Sequence, residues 1–241
     1  GPVPITGVDS GFGITESLGE GTYEIEVRAT DEVGNQGPVM SESFQIDLTS
    51  PVTSVSSGPD GLLATRDVTY NVTSTEPNSS FRCELTGQNQ GLVFPAAPCP
   101  GGENPSFTGL ADDIYQLTIT ALDPGTNPDT EPPTVNFEVD GTAPVTTGPE
   151  VDFGEGQTDQ RVTDSRRVTV DFDGSDNRAM DGFQCRIDSG LEDDWTVCAP
   201  PETFSGLGDG EHLLEIRARD EAGNVDPNPL EVAWTIDNEP P

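Results

Sequence analysis

Three stretches of this chain superpose without a gap: LGEGTYEIEVRATDEVGN from Leu18, LADDIYQLTITALDPGTN from Leu110 and LGDGEHLLEIRARDEAGN from Leu207. Each leads into a segment that closes on an aspartate: SFQID at Asp47, NFEVD at Asp140 and WTID at Asp237. A Pro-bearing junction follows each time, as LTSPVT, GTAPVT and NEPP. Asp47 and Asp140 are 93 positions apart, and Asp140 and Asp237 are 97 apart. That period is far too long for a solenoid turn and suits a whole small domain. The chain therefore reads as three beads: the later half of a repeat at 1–48, a full repeat at 49–141, and a full repeat with the start of the next linker at 142–241.

Within each bead the apolar period is two, the mark of half-buried strands. Tyr23, Ile25, Val27 and Ala29 share one parity, as do Tyr115, Leu117, Ile119 and Ala121, and His212, Leu214, Ile216 and Ala218. The closing strands alternate likewise through Phe44 and Ile46, through Val135, Phe137 and Val139, and through Val232, Trp234 and Ile236. Nothing carries a helical period with caps. Short strands, Gly/Pro/Asn turns and about 95 residues per unit describe an all-β chain of antiparallel sandwiches, beads on a string. The first bead has no counterpart of the strands that open the other two, so its core face needs a partner. Either the sequence is cut from a longer polypeptide, or strands of a neighbouring chain complete the bead.

The cysteines follow the same parity. Cys83 aligns with Phe81 and Leu85, and Cys185 with Phe183 and Ile187, so both point inward. Each has one partner a short way on, which reads as one disulfide per full bead, Cys83–Cys99 and Cys185–Cys198. The alternative is a pair of buried thiols in each. Disulfides would place the protein outside the cytosol, at the cell surface or beyond it.

Charge narrows the partners. With 44 Asp and Glu against 10 Lys and Arg, the net charge is −34. Such a surface repels phosphate backbones and anionic lipid, which argues against nucleic acid or a membrane surface. No apolar run approaches the ~20 residues needed to cross a bilayer. The acids could ligate divalent cations, hold water in high salt or simply keep the chain soluble; composition does not choose among these.

The strings F-x-C-x-[LI], carried by Phe183 to Ile187, L-x-D-G-x-H-x-L-x-[IV]-R-A-x-D-x-A-G-N, carried by Leu207 to Asn224, and W-T-[IV]-D-x-x-P-P, carried by Trp234 to Pro241, resemble the bacterial immunoglobulin-like tandem repeats of large cell-surface and secreted proteins. The likeness spans residues 49–241. It implies tandem immunoglobulin-like sandwiches in a stalk, adhesin or filament, sometimes stiffened by Ca²⁺ between domains. The middle repeat departs from the pattern with Gly125-Thr126-Asn127 and with no Trp in its closing strand.

Catalysis has little to draw on. The one histidine, His212, stands mid-strand where the other repeats carry Tyr23 and Tyr115, which suits an aromatic role near the core. No catalytic residue is assigned and no enzyme is expected. Cation binding is the better candidate, because the sandwich topology gathers acids where one bead meets the next. At the second junction these are Asp140 from the linker, Asp220 and Asn224 from DEAGN, and Asp171, Asp173 and Asp176 from DFDGSDN. Hard oxygen ligands crowded at a hinge suit Ca²⁺. The first junction offers Asp47, Asp123 and Asn127, with Glu76 nearby, and is the weaker set. D-x-x-G-N is also a tight turn in its own right, so ligation would be an added role. Asn71-Val-Thr and Asn78-Ser-Ser are glycosylation sequons, making Asn71 and Asn78 modification candidates.

The function these features favour is a structural or adhesive extracellular spacer. Its partners would be neighbouring repeats or copies of itself, with cell-surface or matrix glycans as a further possibility. The alternatives are a filament subunit whose first half-bead is completed by a neighbour, and a glycan-binding accessory module of a secreted enzyme. The last would need exposed aromatic rings, and Trp195 is the ring whose place the pattern does not explain.

Overall fold

The computed structural model describes residues 17–154 and 161–240. The first bead contributes an antiparallel hairpin of β1 (Gly21–Val27) and β2 (Met40–Ile46), in register from Gly21↔Ile46 to Val27↔Met40. The next nine strands are β3 (Thr53–Ser57), β4 (Gly61–Leu63), β5 (Val68–Thr69), β6 (Asn71–Ser74), β7 (Ser80–Gly87), β8 (Gly91–Pro98), β9 (Ser106–Phe107), β10 (Asp113–Leu122) and β11 (Thr134–Val139). They form a five-stranded sheet in the order β4-β11-β10-β7-β8, with the pairs β3-β6 and β5-β9 as further sheets. The third bead repeats the plan with β12 (Val145–Asp152), β13 (Val162–Thr163), β14 (Arg167–Ser175), β15 (Met180–Ile187), β16 (Thr196–Cys198), β17 (Glu202–Ser205), β18 (Gly210–Asp220) and β19 (Leu230–Ile236). Its sheets run β13-β19-β18-β15-β16 and β12-β14-β17. The fold is all-β, tandem immunoglobulin-like sandwiches, and the only helical turn among the described residues is a 3₁₀ turn at Glu192–Asp194.

Strand parity builds the cores. Tyr115, Leu117, Ile119 and Ala121 of β10 are buried, and so are Leu214, Ile216 and Ala218 of β18. The β10 residues pack with Phe81, Cys83 and Leu85 in one core, and Leu214 and Ile216 with Val168, Val170 and Trp234 in the other. The same parity in the hairpin leaves Tyr23, Ile25, Phe44 and Ile46 only half-buried, with Val27 42% exposed. Both disulfides join a central strand to a neighbouring segment, Cys83–Cys99 and Cys185–Cys198.

The aromatic that opens each of the long strands closes a corner. Tyr23 donates its hydroxyl to the carbonyl of Gly19 at 2.8 Å, and Tyr115 to that of Ala111 at 2.8 Å. These are tyrosine corners of the kind that staple a sandwich edge. His212 takes the same place and reaches the Gly208 carbonyl at 2.9 Å through Nε2.

The D-x-x-G-N turns are built alike in all three beads. The aspartate accepts the backbone N–H of the asparagine four residues on, Asp31 from Asn35, Asp123 from Asn127 and Asp220 from Asn224. The residue before that asparagine is in the left-handed region, where Gly34 (φ 89°) and Gly223 (φ 95°) have no Cβ to clash. In the middle bead the position is Thr126, at φ 74°. A β-branched residue there is strained. Thr126→Gly is therefore expected to stabilise the second sandwich by about 1 kcal/mol net of the entropy glycine adds to the unfolded chain, read as a rise in its unfolding midpoint.

Candidate metal centre at the bead junctions

The last strand of each full bead leads into an aspartate whose backbone is tied into its own sandwich: Asp140 N donates to Leu63 O and Asp237 N to Thr163 O, both at 2.9 Å. The turn and loops of the next bead then close around it. At the second junction Asp140, Asp176 and Asp220 bring carboxylate oxygens within 4.8 Å of one another. Asp140 and Asp220 are fully buried, and Asp176 half-buried. Asp220 comes from the end of β18 and is held by its turn. Asp176 comes from the loop after β14 and accepts Arg178 N at 2.7 Å. Asp140 accepts Thr142 N on Oδ1 at a long 3.4 Å, while its Oδ2 is buried without any hydrogen-bond partner. A buried carboxylate oxygen with no donor is costly. Burial first, and then the charges of Asp176, Asp220 and Asp112, hold the Asp140 carboxyl above the usual range against the single Thr142 donor.

Asn224 acts as a strap rather than an open ligand. Its amide nitrogen donates to the Asp140 carbonyl and to Asp220 Oδ2, both at 2.7 Å, so a metal would meet its amide oxygen alone. Around this core Asp112 accepts Gly141 N at 2.9 Å and the Thr142 hydroxyl, and pairs with Arg66 at 2.8 Å. Arg178 reaches back across the junction to Glu138 at 2.5 Å.

The first junction repeats the plan in a more open form. Asp47, Glu76 and Asp123 bring carboxylate oxygens within 4.8 Å, with Asp123 buried and the others half-buried. Asn127 donates its amide to the Asp47 carbonyl at 2.9 Å and to Asp123 Oδ2 at 2.7 Å. Burial, and then the charges of Asp47, Asp123 and Glu20, push the Glu76 carboxyl up.

Asp171 and Asp173 are not brought to this group. Both lie inside β14, exposed, in register with Glu150 and Thr147 of β12, and each accepts the next residue's backbone N–H. Pairing with β12 carries the strand through to Ser175, so only Asp176 of the DFDGSDN run reaches the loop. Asn71 and Asn78 are both exposed; Asn71 donates to Ser57 Oγ at 2.6 Å and Asn78 sits at φ 59° beside the first junction's loop.

One device at the junctions escaped the sequence reading. The threonine of each PVT linker is clasped by the bead it enters. Thr53 N donates to Asp129 Oδ2 at 2.7 Å while its hydroxyl accepts Ala121 N at 2.9 Å. Thr146 N donates to Asp226 Oδ2 at 2.6 Å while its hydroxyl accepts Ala218 N at 2.8 Å. Both aspartates are buried and stand two residues after the turn asparagine. In the first bead that position is Gly37. Trp195 also finds its place: the guanidinium carbons of Arg186 and Arg217 lie 4.5 and 4.2 Å from its ring centroid. Those arginines are in turn paired with Glu215 and Glu192. The ring pins the segment between β15 and β16 to the sheet.

An all-oxygen set of this charge suits a hard cation. Ca²⁺ sits about 2.3–2.6 Å from each ligand, so oxygens facing one another across it are about 5 Å apart. The 4.8 Å envelope and the unpartnered Asp140 Oδ2 fit that ion. No thiolate or imidazole belongs to either group, which sets them apart from the nitrogen and sulfur sites zinc favours.

No protein-family model matches the chain, and no curated protein matches it. Solved structures with similar architecture include domains A168–A170 of titin, at 13% identity, TM-score 0.49 and coverage of 90% of this chain and 74% of that one. Fibronectin(III)-like modules of Clostridium thermocellum CbhA match at 13% identity and TM-score 0.42, covering 77% and 94%. A Ca²⁺-stabilised adhesin of an Antarctic bacterium matches at 16% identity and TM-score 0.38, covering 89% of this chain and 56% of its own. These are fibronectin-III-like and immunoglobulin-like repeats, and at such identity the likeness is one of architecture. No helix among the described residues is long and apolar enough to cross a membrane.

Proposed function

We propose that the chain is an extracellular structural or adhesive spacer, one partial repeat (1–48) and two full ones (49–141 and 142–241), whose junctions are stiffened by Ca²⁺. The observation that carries the reading is Asp140: a fully buried carboxylate at the seam between two sandwiches, one oxygen unpartnered, within 4.8 Å of two more carboxylates. Empty of cation, three clustered negative charges push the seam apart. Filled, the ion ties the linker (Asp140) to two loops of the next sandwich (Asp176 and Asp220) and fixes the angle between them. Asp47, Glu76 and Asp123 form the second, more open site of the same kind. Asp171 and Asp173 keep their exposed strand positions outside it. The disulfides and the acidic surface accord with a location at the cell surface.

Thermal unfolding with millimolar Ca²⁺, against EGTA at matched ionic strength, tests this. A ligand at about 100 times its dissociation constant adds about 2.7 kcal/mol. The expected result is a Ca²⁺-specific rise in Tm of roughly 10 °C for the third sandwich, not reproduced by Na⁺. Equal melting in both conditions would remove calcium from the proposal and leave the acids as a solubility or salt-tolerance feature.

A further inference from the structure

His212 is the only histidine, and both of its ring nitrogens face acceptors. Nδ1 lies 2.7 Å from Asp188 Oδ2 and Nε2 lies 2.9 Å from the Gly208 carbonyl. Its side chain is only 9% exposed and its ring packs 5.4 Å from that of Trp234. A neutral imidazole has one N–H and cannot donate to both. The imidazolium can. Tyr23 and Tyr115 fill this corner position in the other beads with a hydroxyl that donates one bond to a carbonyl.

The surrounding charges are few. Asp188, on the turn after β15, also accepts Leu213 N at 2.9 Å and is, among the described residues, the carboxylate paired with the ring. In the corner itself Asp209 turns to Arg166 and to Asn238. On β18 the neighbouring Glu211 is exposed, and β19 presents Trp234 opposite.

We propose that Asp188, His212 and the Gly208 carbonyl form a proton-operated latch at the exit end of the third sandwich, closed when His212 is protonated. The latch ties the turn after β15 to the corner at 207–210. That corner also carries Asp209, which holds Asn238 of the outgoing linker at 2.9 Å. Closing it in mildly acidic surroundings steadies the point from which the chain leaves this sandwich; the other two corners have no such response.

The sign follows from the bonds. Burial alone would lower the imidazole pKa, but the Gly208 carbonyl and Asp188 outweigh it and raise it. A raised folded-state pKa gives stability that is complete below the unfolded value of about 6.5 and is lost as pH rises through the folded value.

Both tryptophans, Trp195 and Trp234, lie in the third sandwich, so tryptophan fluorescence reports its unfolding alone. The experiment is fluorescence-monitored melting of the whole chain from pH 6 to 8.5, for wild type, His212→Tyr and Asp188→Asn, with NMR titration of the single imidazole. Wild type should lose on the order of 5 °C across that range. His212→Tyr, which restores the ordinary corner, should melt at the same temperature throughout. Asp188→Asn should lower the imidazole pKa. An imidazole titrating at or below its ordinary value, or identical pH slopes for wild type and His212→Tyr, would overturn the latch. Should Asp188→Asn fail to fold, the titration and the tyrosine variant still decide.

Discussion

Replacing Asp226 with alanine is expected to lower the stability of the third sandwich by about 2–4 kcal/mol and its Tm by about 10–20 °C. The carboxylate is buried and accepts two backbone N–H groups, Thr146 at 2.6 Å and Asn228 at 2.9 Å. Alanine removes the acceptor and leaves both donors behind. Thr146 begins the strand that enters the sandwich, and its hydroxyl holds Ala218 N in the middle of the fold. Loss of the clasp therefore frees β12 at its start, where the linker becomes domain. Asp226→Asn keeps one acceptor oxygen and should lose about half as much. The check is a denaturant titration followed by tryptophan fluorescence for the third sandwich, with an unchanged calorimetric transition of the second sandwich as the internal control.

The matching clasp at Asp129 adds a pH signature. Burial alone would raise its carboxyl, yet the Thr53 and Glu131 donors hold it below the usual range. A depressed carboxyl gives stability that is present above the unfolded value and lost as pH falls through the folded one. Strong acid thus loosens the clasp of the second sandwich, whereas mild acid closes the latch of the third. The two effects occupy different pH windows.

What was legible in the sequence was whatever is coded locally or repeated. Period-two alternation assigns the inward faces of β10 and β18 because each side chain's face depends only on its own strand. Cys83 and Cys185 are placed by the same parity, which puts them beside Leu85 and Ile187. The junction acids emerge from aligning the repeats, since Asp47 and Asp140 close equivalent strands. What was not legible depends on pairing between distant segments. Asp171 and Asp173 look like loop residues until β12 pairs alongside and extends β14 past them. The clasp was visible in principle: the threonine of PVT and the aspartate two residues after the turn asparagine occur together in both full repeats, and the first bead has Gly37 instead. Neither residue type suggests a buried pair alone; only the contact between linker and turn does. Trp195 is similar, because its partners Arg186 and Arg217 come from β15 and β18 and meet only in the sheet.

Asp140→Asn separates the cation's contribution from the cost of the empty site, because its effect should change sign with Ca²⁺. In EGTA the substitution removes one of three charges packed within 4.8 Å and gives the lone oxygen's place to a group that carries no charge. The junction should then become more stable, by on the order of 1 kcal/mol, because like-charge repulsion is relieved. In saturating Ca²⁺ the same change removes a charged ligand, and most of the ion's about 2.7 kcal/mol should vanish. Wild type and variant melting curves are therefore expected to cross: variant higher without the ion, wild type higher with it. A structural hydrogen-bonding role for Asp140 predicts loss in both conditions, and a purely repulsive acidic patch predicts gain in both. Glu76→Gln at the first junction should show the same crossing with smaller amplitude. There two of the three carboxylates keep contact with water, which weakens the repulsion without the ion and the attraction with it.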